Sequence, residues 1–121
     1  MKNRLFITML IVFAAVLVGV FSSCSIDKND PILYVVNGTN YSVNVYCDNY
    51  LVASANAHNN SGKVVLSNTS VNLPVYVEAE FYDNNGKRVT AYQWNNFYFK
   101  WNKSYKMTLT NSASTSRLVE L

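Results

Sequence analysis

Residues 74 to 83 read Pro-Val-Tyr-Val-Glu-Ala-Glu-Phe-Tyr-Asp, so that Val75, Val77, Ala79 and Phe81 alternate with Tyr76, Glu78, Glu80 and Tyr82. Successive side chains of a β-strand point to opposite faces, so this pattern demands a strand with one buried and one polar face. The stretch from residue 32 to 121 repeats the habit in short runs rich in Val, Ile, Tyr, Phe, Thr and Trp, punctuated by Asn, Gly and Ser. No window carries a helical period. Strands are expected at 32–36, 41–47, 50–55, 63–67, 74–83, 87–94, 97–101, 105–110 and 116–121.

Turns fix register, because residues paired across a hairpin share a face. A two-residue turn at Asp48-Asn49 pairs Cys47 with Tyr50 and Val45 with Val52. A three-residue loop Asn84-Asn85-Gly86, with Gly86 left-handed, pairs Asp83 with Lys87, Phe81 with Val89 and Ala79 with Ala91. The same register sets Tyr82 beside Arg88 and Glu80 beside Thr90 on the other face. Continued along the strand, it sets Tyr76 beside Trp94 and Glu78 beside Tyr92. A loop at Asn102-Lys103-Ser104 pairs Trp101 with Tyr105, Phe99 with Met107 and Phe97 with Leu109, and makes Lys100 face Lys106. A hairpin at Asn95-Asn96 would place Lys100 inward against Ala91, so the chain is expected to change sheets there. Two hairpin systems joined by a crossover predict an all-β, antiparallel two-sheet sandwich of Greek-key, immunoglobulin-like type with roughly 7–9 short strands; a partly open barrel is the alternative.

The first 23 residues stand apart. Lys2 and Arg4 precede an almost unbroken apolar run from Leu5 to Val20, and Phe21-Ser22-Ser23 lead into Cys24. This resembles the leader of a bacterial lipoprotein, in which the leader is cut just before the cysteine and the thiol carries acyl chains. The resemblance implies a signal peptide over 1–23, lipidation at Cys24, a tether over 24–31 and one domain over 32–121. An uncleaved membrane helix is the other reading of the run, which at about 16 residues falls short of a bilayer span. The tether is short, polar and acidic, with Asp27 and Asp30.

Cleavage there removes two of the ten basic residues, leaving eight against seven acidic ones. A nearly neutral mature chain gives no support to nucleic-acid binding. Cys47 is then the one cysteine of the domain, with no disulfide partner. It shares a face with Val43 and Val45 and is expected to be a buried apolar residue.

Together with Val43-Asn44-Val45-Tyr46-Cys47-Asp48-Asn49 and Lys103-Ser104-Tyr105-Lys106-Met107-Thr108-Leu109, the leader and tether give the chain a resemblance to small single-domain lipoproteins of Bacteroidetes with immunoglobulin-like or PEGA-like sandwiches. The resemblance implies an outer-membrane or cell-envelope address, periplasmic or surface-exposed, with the membrane as a partner through Cys24.

No catalytic residue set, metal site or cofactor motif is apparent. The single histidine, His58, lies in the turn-rich stretch 56–62, and there is no Gly-x-Ser-x-Gly elbow, phosphate loop or calcium loop. Glu78 and Glu80 share a face about 7 Å apart from the strand rise, and read as solvated positions balanced by Lys87 and Arg88. The candidate binding residues are Tyr76, Glu78, Tyr92 and Trp94, rings and carboxylates expected on one face. Rings stack on the C–H faces of sugars and carboxylates bond their hydroxyls, and Tyr and Trp also favour protein contacts. The expected function is a non-enzymatic binding module for a glycan or an envelope protein; the alternative is a structural or accessory subunit of a surface assembly.

Overall fold

The computed structural model describes residues 28–121; the leader, Cys24 and the first half of the tether lie outside the described residues. Eight strands and one 3₁₀ turn follow in order: β1 (Ile32–Asn37), β2 (Ser42–Cys47), β3 (Tyr50–Ala55), β4 (Asn60–Val65), β5 (Pro74–Tyr82), β6 (Arg88–Tyr98), β7 (Ser104–Leu109), the turn Ala113–Thr115 and β8 (Arg117–Glu120). They form two four-stranded sheets, β4-β1-β7-β8 and β3-β2-β5-β6, packed as a sandwich and not closed into a barrel. Pairing is antiparallel except between β1 and β7, which run parallel: strand direction alternates along the chain, and β7 is reached after four changes of sheet and six steps of that alternation.

The alternation of the sequence becomes the core. Leu33, Val35, Val43, Val45, Val75, Val77, Ala79, Phe81, Met107 and Leu109 are fully buried between the sheets. Burying one such Val, Leu, Phe or Met side chain contributes about 1.5–3 kcal/mol. Cys47 belongs to the same cluster, as expected. Asp48 and Asn49 both have positive φ, the geometry of the tight turn that matches strand twist. Gly86 has φ +76°, Asp83 N–H donates to Lys87 O and Lys87 N–H donates to Asp83 Oδ1, so the three-residue loop forms as expected.

Beyond the turns, four irregularities move the register, one of them between Tyr34 and Val36 where β1 meets β4. Tyr46 pairs with Leu51 but Val45 pairs with Ala53, not Val52, because one residue of β3 is extra. In the β5–β6 pair, Tyr82 faces Arg88 and Phe81 faces Thr90, which leaves Val89 as the extra residue. Phe81 therefore does not pair with Val89, nor Ala79 with Ala91, nor Glu80 with Thr90; Ala79 faces Tyr92 and Glu80 faces Ala91. A second β6 bulge falls at residues 95–96, where Asn96 has φ 54°. Asn tolerates the left-handed region. The two asparagines thus bend one 11-residue strand instead of turning the chain.

The change of sheet comes one segment later, across residues 99–103. The expected hairpin of 97–101 with 105–110 does not exist: β7 pairs with β1 and β8, and Lys106 faces Tyr34 and Val119, not Lys100. The aromatic side chains of that segment meet without a ladder. Phe97, Phe99 and Tyr105 pack edge to face with centroids 4.9, 5.0 and 5.6 Å apart, and the Lys100 N–H donates to Tyr105 Oη at 2.8 Å. That cluster carries the chain from one sheet to the other.

Candidate functional site

The polar face of β5 lies at the centre of the outer surface of the β3-β2-β5-β6 sheet. Its outward side chains, Tyr76, Glu78, Glu80 and Tyr82, are half-buried by neighbours on both sides. On β2, Tyr46 stands opposite Glu78, Asn44 opposite Glu80 and Ser42 opposite Tyr82; on β6, Gln93 stands opposite Glu78 and Arg88 opposite Tyr82. Tyr76 Oη donates to Glu78 Oε2 at 2.6 Å, and Tyr82 Oη donates to Glu80 Oε2 at 2.5 Å. Arg88 Nη2 lies 3.5 Å from Glu78 Oε1 and 3.8 Å from Glu80 Oε1. One guanidinium therefore offsets the repulsion of two carboxylates on the same strand face.

This row sets the electrostatics of the surface. The hydrogen bond to Glu80 is the largest cause of the raised Tyr82 pKa, and the bond to Glu78 does the same for Tyr76. The Tyr82 hydroxyl in turn holds Glu80 below the usual carboxylate range, with Arg88 adding to it. A general acid needs a carboxyl raised toward neutrality. Glu80 is shifted the other way. What the row offers is a flat, pre-organised set of rings, acceptors, one cation and flanking amides.

The four residues expected to share a face divide. Tyr76 and Glu78 belong to this outer surface, whereas Tyr92 faces Ala79 and Trp94 faces Val77, both on the inward side. The Val89 bulge is the reason: shifting a strand by one residue moves every side chain beyond it to the opposite face. Tyr92 and Trp94 pack against the core, Tyr92 with its ring 4.7 Å from Phe81 and its hydroxyl donating to Thr110 O at 3.0 Å. Tyr92 also helps line a shallow recess of about 210 Å³ with Thr39, Tyr41, Phe81 and Thr90.

The residues that replace them on the outer face are Tyr46, Glu80, Tyr82 and Arg88. Glu80 and Tyr82 are legible in the β5 alternation, and Arg88 stands beside Tyr82 as the 84–86 loop predicts, but nothing in the sequence says that β2 is the neighbour that brings Tyr46. Comparison with protein-family models, curated proteins and solved structures finds no match for this chain. The site is therefore interpreted on its own chemistry. Among the described residues no group of three or more His, Cys, Asp and Glu is placed to hold a metal ion, and no helix is long and apolar enough to cross a membrane. His58 is an exposed turn residue whose Nε2 lies 2.7 Å from Asn40 Oδ1.

Proposed function

We propose that this protein is a non-enzymatic envelope lipoprotein, anchored through Cys24, whose sandwich binds a glycan on the outer face of the β3-β2-β5-β6 sheet. The observation that carries the binding reading is the row Tyr76–Glu78–Arg88–Glu80–Tyr82 with Tyr46 beside it. Phenol rings offer stacking surface, and carboxylates fixed by phenols and a guanidinium offer acceptors already held in place. Pre-organised groups lose less entropy when a ligand arrives. The anchor rests on the leader ending at Cys24; palmitate labelling of the full chain, abolished in Cys24→Ala, tests it.

For the binding reading, soluble residues 28–121 are applied to glycan arrays and polysaccharide retardation gels beside Tyr46→Ala and Glu80→Gln. Retention by the wild type and at least a tenfold loss in both variants is expected. A folded wild type that no glycan retards refutes it. A second reading, a structural subunit of a surface assembly, is favoured by β6, the longest strand, which lies at the border of its sheet with one edge unpaired among the described residues. An oligomer in sedimentation that a proline in the outer edge of β6 dissociates would support that reading instead.

A further inference from the structure

The strands run alternately up and down, so every loop belongs to one of two ends. The chain enters at one of them: Ile32 N–H donates to Lys103 O, Asn29 N–H donates to Asn102 Oδ1, and Asn102 N–H returns to Asn29 O. This entry end gathers the turn 48–49, the connection 66–73, the crossing 99–103 and the residue after β8. It also gathers the exposed apolar side chains. Among the described residues, Tyr50, Leu51, Val65, Leu73, Tyr98 and Leu121 are 50–70% exposed and all lie there, whereas the opposite end has only Tyr41 at 36% and Val89 at 45%. Isolated exposed apolar residues are ordinary, but their concentration at one end of a small domain marks a contact surface.

Three further features decide what that surface meets. Lys28 Nζ lies 5.9 Å from the Trp101 ring centroid, and Lys100 and Lys103 belong to the same crossing segment as Trp101. Long lysine stems beside aromatic rings suit a boundary between apolar and aqueous layers. Asp30, Asp48 and Glu120 lie at the same end, so three carboxylates balance the three cations in number and this end has little net charge for a strongly charged partner to read. Finally, the chain outside the described residues leaves from this end. Only six residues separate Cys24 from Pro31, a span of at most about 25 Å when extended.

We infer that the entry end of the sandwich docks on the lipid bilayer interface, inserting the apolar side chains of its loop tips between headgroups. The cellular setting of this contact rests on the anchored reading above, but the contact itself does not need the acyl chains. Among the described residues the buried core side chains lie between Leu33 and Leu118 and pack on one another in a single cluster, so residues 28–121 carry a core of their own to fold around.

The test is co-sedimentation of residues 28–121 with phosphatidylcholine vesicles at millimolar lipid, in low and high salt. Binding is expected to change less than threefold with salt, and to fall at least tenfold in Tyr50→Ser/Leu73→Ser/Tyr98→Ser. The far-end variant Tyr41→Ser/Val89→Ser should bind like the wild type. All substituted positions are exposed, and circular dichroism confirms that each variant folds. No wild-type binding, equal loss in both variants, or binding only to phosphatidylglycerol vesicles that high salt abolishes overturns the inference. So does a stable dimer that the triple variant dissociates, which would make the surface a contact between copies. Because the protein tested carries no lipid, failure here leaves the palmitate result at Cys24 untouched, and the reverse also holds.

Discussion

Asn37 shows how a single side chain closes this fold. It is 1% exposed at the end of β1, and its amide nitrogen donates to Tyr41 O at 2.7 Å and Asn56 O at 3.1 Å, while its Oδ1 accepts from Thr39 N–H at 3.1 Å and Thr39 Oγ1 at 2.7 Å. One amide thus satisfies the backbone where β1, the β1–β2 loop and the end of β3 meet. Asn37→Leu keeps the volume but orphans those buried groups, and urea unfolding is expected to show a loss of about 3 kcal/mol. The sequence offers Asn37 only as punctuation after a strand, since asparagine is usually exposed. Its burial depends on three segments that no local pattern brings together. Cys47 is the opposite case. Alternation with Val43 and Val45 places it inside, and burial pushes its thiol up to about 12. Because the thiolate is the reactive form, a disulfide reagent at pH 8 should leave the native thiol unlabelled and modify it only as the chain unfolds. Rapid labelling of folded protein would contradict the packing.

At the scale of elements, the two turns with left-handed backbone between paired strands were readable, whereas the bulges and the crossing at 99–103 were not. Asp48-Asn49 and Asn84-Asn85-Gly86 declare themselves because left-handed backbone selects Asn and Gly. Gly86→Ala should cost about 1 kcal/mol in thermal or chemical unfolding, with no change in glycan retention. Val89 carries no such mark. A bulge there answers to how β5 and β6 coil against the sheet, and that single extra residue moved Tyr92 and Trp94 inward. Within β5 the alternation alone gave Tyr76, Glu78, Glu80 and Tyr82 correctly, and the 84–86 loop gave Arg88 as the partner of Tyr82; the β2 partner Tyr46 was not legible. The same row makes stability sensitive to pH in a defined direction. Tyr82 titrates higher in the folded state than its ordinary value near 10, so its contribution is fully present below pH 10 and is lost as pH rises through the folded value. Glu80 titrates lower, so its contribution is present above the usual glutamate range and is lost as pH falls below it. Urea midpoints of the wild type should fall above pH 10, and Tyr82→Phe should flatten that limb.

Across the whole molecule, the two sheets share one core and are tied by the ring cluster at residues 97–105. They should therefore unfold together. Phe99→Ala empties a fully buried site at the crossing and should cost about 3–5 kcal/mol. Tryptophan fluorescence and far-ultraviolet circular dichroism should shift by the same amount and still coincide. Separate transitions would mean that the sheets are independent. The sandwich class was legible because alternation and turn spacing are local; the point where the chain changes sheets was not, because Asn95-Asn96 suits a turn and a bulge equally well.

The position of β1 has a mechanical consequence. It lies between β4 and β7, antiparallel to one and parallel to the other, and the chain enters along its axis. A pull on that entry slides β1 lengthwise between two partners, so both ladders must give way at once, where a border strand would peel one bond at a time. A domain held by its first residues against flow is gripped at the place where it tears least easily.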